Sequence, residues 1–338
     1  MDETFKLGLY QPVFKWNALK TDSQGLSGVF IHLEPEATAI PWGISLFGSP
    51  IFIPNQGPGY EIKDGKFENN NPYFSSPPKE AEINGQRTEF NYTIVRPELY
   101  EVINHESFAG RAFFGKENDG FHLQAAYAQK PNNELALGFQ GVLVPGKKID
   151  IQILPKVMYH NLASGEIKYS WTHFSIGFEA LKDTPQNVSF DSPWTYAYFS
   201  ESELYTAFAT FAWRDLDISL ASLSVTGGDS SFIGPRSVEA ENVLVPKYPF
   251  RNATLATVFY TYRLRRFQSF GISSNYLRGT QGEFDLWNST FAYQWRDRWA
   301  AHLTSQLVAV QSTDSEHRTI YHSYPDNDLV GIGLSYVF

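Results

Sequence analysis

One segment of the chain pairs a base with a nucleophile. His173-Phe174-Ser175-Ile176-Gly177 sets a histidine and a serine two residues apart, hence on one face of an extended strand. An imidazole beside a hydroxyl can take its proton and activate it for attack on an acyl carbon. That chemistry also needs a third group to orient the histidine, and no orienting partner stands out in the sequence. Metal chemistry has less support. The eight histidines are scattered, and neither a His-x-x-x-His pair nor a carboxylate cluster stands at ligand spacing. His317 and His322 share one polar segment with Asp314 and Glu316, which reads as a solvated loop. Cysteine is absent, which excludes disulfides and thiolate-held metals. No cofactor is expected.

A larger polar set recurs at alternate positions: Lys6, Arg111, His122, Gln124, Asp150, Gln152, Lys156, Lys168, Arg263, Asn275, Asn288, His302 and Gln306. Both signs of charge occur, among many amides and hydroxyls. Amides and carboxylates hydrogen-bond hydroxyl groups, and aromatic rings stack on sugar faces, so such a wall suits neutral polar solutes. Singly, each residue equally serves to solvate a lumen or to pair with a neighbour across it.

Period-two strands must carry these side chains. Phe121, Leu123, Ala125 and Tyr127 oppose His122 and Gln124; Tyr205, Ala207, Ala209, Phe211 and Trp213 oppose Thr206 and Thr210. Val258, Tyr260, Tyr262 and Leu264 oppose Thr257, Thr261 and Arg263, and Phe270, Ile272 and Tyr276 oppose Ser269, Ser273 and Asn275. Trp287, Phe291, Tyr293 and Trp295 oppose Asn288, Thr290 and Gln294; Trp299, Ala301, Leu303, Leu307 and Ala309 oppose His302, Thr304 and Gln306. The cleanest alternation is Ile149, Ile151, Ile153, Val157 and Tyr159 against Asp150, Gln152 and Lys156. The strand near Ile167 changes phase around His173, which predicts a bulge or an extension there.

Composition narrows the class. Aromatics reach 16% and charged residues only 19%, yet the mean hydropathy is mildly polar. A bundle of membrane helices would be far more apolar. The longest apolar stretch, Ala39–Ile53, is too short for a spanning helix and carries Pro41, Gly43, Gly48 and Pro50. Met1 runs directly into Asp2 and Glu3 without an apolar leader, as in a mature chain with an added start. A net charge of −9 argues against nucleic acid as a partner.

The last residues carry the strongest pattern. Val330, Ile332, Leu334, Tyr336 and Phe338 alternate with Gly331, Gly333, Ser335 and Val337. This resembles the C-terminal signature of Gram-negative outer-membrane β-barrels, with a porin-like hairpin pattern over most of the chain after about Thr88. The turns fit. Trp295-Arg296-Asp297-Arg298-Trp299, Trp213-Arg214-Asp215 and Tyr262–Phe267 place rings at a membrane interface with charge beyond them. They alternate with long polar connections near 183–202, 227–252 and 312–326. The resemblance implies export, insertion by the barrel assembly machinery, and contact with outer-membrane lipid and lipopolysaccharide. His173-x-Ser175 also resembles the His-x-Ser-Asn-Gly motif of outer-membrane phospholipase A over five residues, with Ile176 where that family has Asn.

The expectation is therefore all-β: one transmembrane antiparallel up-and-down β-barrel over 1–338. Fourteen strands are expected within a range of 12–16, with short periplasmic turns and long extracellular loops. Phe5, Leu7 and Leu9 supply the fourteenth. Residues 15–87 form a long N-terminal insertion, either an inward-folded plug or an extra hairpin through 27–33 and 44–53. Its aromatics, Trp16, Trp42, Phe47, Phe52, Tyr60, Tyr73 and Phe74, fit a sugar rail or a small plug core. The function expected is a passive, monomeric channel for small hydrophilic solutes, oligosaccharides among them. The alternatives are a non-conducting barrel serving envelope assembly, polymer export or adhesion, and a lipid hydrolase.

Overall fold

A computed structural model describes residues 28–35, 40–54, 61–68, 77–83, 85–132, 135–144, 148–186, 194–233, 252–266, 268–279, 284–295, 298–310 and 328–336. The chain enters with β1 (Val29–Leu33) and β2 (Trp42–Ser49). Four short strands follow: β3 (Glu61–Lys63), β4 (Lys66–Glu68), β5 (Glu80–Ile83) and β6 (Gln86–Ile94). A single helical turn, α1 (Leu99–Ile103), precedes β7 (Ser107–Lys116) and β8 (Asp119–Pro131). Then come β9 (Ala136–Val144), β10 (Lys148–Lys156), β11 (Tyr159–Ser170), β12 (Phe174–Gln186) and β13 (Thr195–Phe199). The remainder is β14 (Ser202–Trp213), β15 (Leu216–Gly227), β16 (Ser230–Ile233), β17 (Asn252–Arg265), β18 (Gln268–Gly279), β19 (Phe284–Gln294), β20 (Trp299–Val310) and β21 (Leu329–Tyr336).

The fold is an all-β transmembrane barrel with an up-and-down wall. Thirteen described strands form that wall as one antiparallel sheet, in the order β1-β2-β7-β8-β11-β12-β14-β15-β17-β18-β19-β20-β21. Among the described residues β1 and β21 are its two ends. The strand expected at Phe5–Leu9, which completed the count of fourteen, lies outside the described residues. The 15–87 stretch is not one connection, because β1 and β2 pair with each other and β2 pairs with β7 inside the wall. The phase change near His173 is a turn between β11 and β12, not a bulge within one strand.

The connections divide sharply by end. At one end the wall turns at 117–118, 171–173, 214–215, 266–267 and 295–298, and over eight residues at 34–41. At the other it runs through 50–106, 132–158, 187–201, 228–251 and 311–328, with one brief exception at 280–283. Aromatic side chains gird the short-turn end. Trp295 and Trp299 stack at 6.1 Å, and the Trp299 and Tyr336 rings lie 4.7 Å apart. Trp171 leans on Tyr169 and Phe174, and the Arg214 guanidinium covers the Trp213 ring at 4.7 Å. A second ring of aromatics closes the band toward the loops, where the Tyr205 and Tyr276 hydroxyls donate to Glu203 and Asp285. Between them the outer face is apolar and exposed, with Leu303, Phe291, Ile176, Leu123 and Ile44 among it. From Tyr205 to Trp213 this band runs about 26 Å along the strand, at roughly 3.3 Å per residue. That matches the apolar height such barrels present to lipid.

The long connections carry a second sheet. Six strands order as β16-β13-β9-β10-β6-β5, with β10 and β6 parallel and the rest antiparallel. Each β9–β10 and β13–β16 pair continues a wall ladder past a short break. The wall pair Ser202↔Gly227 is followed by a bond from Gly228 N–H to Glu201 O and one from Ser200 N–H to Asp229 O, before Phe199↔Ser230 resumes. Gly227 and Gly228 both adopt positive φ there, at 72° and 71°. A Cβ on Gly227 would lie 2.1 Å from the Glu201 carbonyl oxygen, so only glycine fits this bend. Val157 and Met158 make the equivalent break in the β8–β11 ladder and are buried.

This sheet overturns one expectation. The alternating strand from Ile149 onward was assigned to the wall, with isoleucines toward lipid. It is β10, in the loop sheet, as is the strand containing Thr88. Period two reports a sheet with one packed and one wet face, and a loop sheet satisfies that as well as a barrel does. Ile153 is buried at 1% exposure, packed within protein rather than facing lipid.

Candidate functional site

Register turns the inner face of the wall into rows. One row runs Ser170–Ser175–Thr210–Ser219–Thr257–Asn275–Asn288–Gln306, each residue directly opposite the next. All eight are polar. The Ser175 and Thr210 hydroxyls are hydrogen-bonded to each other. Two residues nearer the loops, about 6.6 Å along the strands, runs Phe208–Ala221–Leu255–Leu277–Leu286–Val308. Every member of this second row is apolar and buried, and Leu204, Leu223, Val225, Ala253 and Phe284 extend it into one core. The inner face therefore changes abruptly from polar to apolar between two neighbouring register rows.

The other side of the interior, on β2, β7, β8, β11 and β12, is charged. Arg111 and Phe113 on β7, His122 and Gln124 on β8, and Glu166 on β11 line a cavity of about 410 Å³. Its rim is Glu34, Pro41 and the turn Lys116–Asp119, so it opens at the short-turn end. Gly43, Phe113, Gln124, Glu166, Glu179 and Thr206 lie in one register row, with Glu166 opposite Glu179. His122 and Glu166 are buried, at 5% and 9% exposure. The Phe113 ring is packed by His122 at 6.0 Å, His32 at 6.1 Å and the Arg111 guanidinium at 5.7 Å. His122 Nδ1 lies 3.2 Å from the Gly115 carbonyl, so this nitrogen donates and Nε2 is left for the interior. Arg111 Nε is shut off from solvent and has no hydrogen-bond partner among the described residues.

The sequence-derived set therefore splits. Arg111, His122 and Gln124 come together at this cavity. Asn275, Asn288 and Gln306 stand in the polar row, and His302 lies two rows nearer the short turns, its Nε2 2.9 Å from Ser335 Oγ. Arg263 sits on the same face near the short-turn end, exposed, where the β17–β18 register slips. Asp150, Gln152 and Lys156 do not belong to the wall. Asp150 accepts a hydrogen bond from Asn91 at 2.8 Å across the parallel β6–β10 pair, and the Lys156 ammonium lies 5.9 Å from the Tyr196 ring centroid. Lys6 lies outside the described residues, as do His317 and His322.

His173 and Ser175 are not brought together as a dyad. His173 is exposed in the 171–173 turn, while Ser175 is buried on the inner face against Thr210. Of the proposed aromatic rail, Trp42 is exposed on the outer face and Phe47 and Phe52 are buried; Trp16, Tyr60, Tyr73 and Phe74 lie outside the described residues. Phe113, Glu166, Glu179 and the apolar row were missed. The alternation rule assigns large apolar residues to lipid, and in β15 the phase is the reverse: Ala221, Leu223 and Val225 point inward while Ser222, Ser224 and Thr226 are exposed.

No family model and no curated protein matches the chain. A search of solved structures returns the crystal structure of the toluene transporter TbuX of Ralstonia pickettii. The alignment has 12% identity and a TM-score of 0.31, and covers 84% of this chain and 76% of that one. At that TM-score the likeness has no bearing on function.

Proposed function

We propose that this protein is an outer-membrane conduit for small hydrophilic solutes, closed toward the loops by its apolar row. The observation that carries this reading is the unbroken row of polar side chains from Ser170 to Gln306. Residues that only had to fill an interior would be apolar throughout, as the next row is. Hydroxyls and amides in one continuous row offer successive hydrogen bonds to a solute shedding its water. In this reading the apolar band meets lipid and lipopolysaccharide, the assembly machinery inserts the chain, and one copy suffices.

The test is single-channel conductance of the full chain in a planar bilayer, with and without malto-oligosaccharides. The wild-type protein conducts weakly, and Leu277→Ser with Leu286→Ser, which places hydroxyls in the closing row, raises the step size severalfold. Absence of steps in both proteins sinks the proposal. Sugar block of the enlarged steps would make oligosaccharides substrates.

A second reading has its own observation. Four separate connections contribute strands to the loop sheet, a more elaborate structure than a pore requires. It supports a non-conducting barrel that presents this sheet in envelope assembly, polymer export or adhesion, which is the outcome if both proteins above stay silent.

A further inference from the structure

We infer that Phe259 is the platform of a sugar subsite on the inner face of the wall, where a pyranose ring stacks on the phenyl ring and its hydroxyl groups bond to the polar side chains around it. The inference rests on the conduit reading and names the solute class that the conduit passes.

Two residues nearer the short turns than the polar row runs Asp217–Phe259–Ser273–Thr290–Thr304, again each residue directly opposite the next. Four of these carry a hydroxyl or a carboxylate. The other is a phenyl ring, and it is 46% exposed. Phe259 shares the inner face with Leu255 and Thr257, while its neighbours Val258 and Tyr260 point outward to lipid. Of the large apolar side chains on the inner face of β14 to β20, Phe259 alone is exposed among the described residues; Phe208, Leu255, Leu277 and Leu286 are all buried. An interface girdle does not account for this ring, because the inner face meets no lipid. Core packing does not account for it either, because nearly half of it is open. A wall that had only to hold water would carry serine or threonine here, since a phenyl ring left in water forfeits the burial that favours it elsewhere.

A sugar accounts for both the ring and its surroundings. A pyranose presents C–H groups on its faces and hydroxyls around its edge, so it binds where an aromatic surface lies beneath and polar groups stand beside it. Asp217 and Ser273 flank Phe259 across the two ladders, with Cα atoms roughly 4.5–5.5 Å away. Thr257 and Thr261 stand on the same face of β17, roughly 6.6 Å to either side. Asp217 is exposed, and its carboxylate can accept from two sugar hydroxyls. Space is also present. Gly271, diagonal to Phe259, faces Ala292, and a Cβ on Gly271 would meet nothing closer than 3.9 Å. A ring beside a carboxylate also suits an organic cation, but that ligand leaves Ser273 and Thr261 without a role.

The experiment is saturation-transfer NMR on the full chain, in micelles of a detergent without a sugar headgroup. Three probes are compared: methyl β-D-glucopyranoside, sorbitol and choline. The glucoside binds, and its ring C–H protons take up most of the saturation. Sorbitol, which has the hydroxyls without a ring face, binds several-fold more weakly, as does choline. Phe259→Leu keeps the apolar bulk but removes the aromatic face, and weakens the glucoside several-fold; Phe259→Trp retains its binding. A merely structural role would not separate these two replacements. Gel mobility before and after heating reports whether each variant has folded; if one has not, the wild-type ranking of the three probes decides alone. Equal binding of glucoside and sorbitol, tighter binding of choline, or an undiminished glucoside signal in folded Phe259→Leu overturns the inference. A protein that conducts but ignores the glucoside refutes the subsite and leaves the conduit, whereas glucoside binding without conductance refutes the conduit and keeps the subsite.

Discussion

Gly43 faces Phe113 across the β2–β7 ladder, and the Phe113 ring fills the space that a Gly43 side chain would need. A Cβ on Gly43 would lie 2.5 Å from a ring carbon and 3.1 Å from the Leu33 carbonyl oxygen. The aromatic wall of the cavity thus depends on a missing side chain in the neighbouring strand. Gly43→Ala forces the ring aside and costs about 1–3 kcal/mol, the usual price of overpacking. Gly48→Ala, five residues along the same strand with nothing within 4 Å, is close to neutral. Thermal unfolding of the two variants side by side checks this, and equal midpoints would refute it.

Gly227→Ala strikes the bend between wall and loop sheet. An L-residue at φ of 72° is strained by roughly 1–2 kcal/mol, and its Cβ collides with the Glu201 carbonyl. The expected result is local: β13 and β16 detach while the wall stays intact. Protease cutting within β13 and β16 then rises several-fold, while β14 and β15 between them stay resistant.

Asp150→Asn distinguishes the loop sheet from the lumen. In the structure this carboxylate is the acceptor for Asn91. Weakening that charge-assisted bond costs about 1–3 kcal/mol in the stability of the loop sheet, measured by amide hydrogen exchange across β6 and β10. Cation-over-anion selectivity of the conducting variant stays unchanged. A shift in selectivity would return Asp150 to the lumen.

Acid should loosen the loops before the wall. Glu201, at the bend, is held below the usual carboxylate range, chiefly by its hydrogen bond from the Lys182 ammonium. A carboxyl group with a depressed folded-state pKa contributes stability above its unfolded value and loses it as pH falls through the folded value. The contribution is therefore present at neutral pH and fades below about pH 4.5, the ordinary value for glutamate. Both side chains are about half exposed, so the effect is small and weakens further in salt. Proteolysis at the bend, measured from pH 7 to pH 3, rises as acid is added. Glu201→Gln shows the acid rate already at pH 7, and the two proteins converge at pH 3.

Much of the wall was legible in one dimension because its physics is one-dimensional. Along β8, β14, β19 and β20 lipid contact demands an apolar side chain at every second residue, and the bordering Trp and Tyr mark where water begins. Arg111, His122, Asn275 and Gln306 could be picked out for the same reason: each alternates with apolar neighbours and so falls on the face turned away from hydrocarbon. Period two is ambiguous where two environments impose it. In β10 the isoleucines are packed within a loop sheet, so Asp150, Gln152 and Lys156 were misplaced with them. In β15 an apolar inner face mimics an outer one.

The sequence by itself determined that this is a β-barrel chain, which residues form most of its strands, and at which end its turns are short. Those properties follow from side-chain period, interface aromatics and turn lengths, all local along the chain. Only the tertiary structure decided that Phe208, Leu255, Leu277 and Leu286 align in one apolar stripe, that four distant connections merge into a second sheet, and that Arg111 and Glu166 share a cavity. Each of these depends on inter-strand register, and register is set by pairing between residues that the sequence keeps far apart.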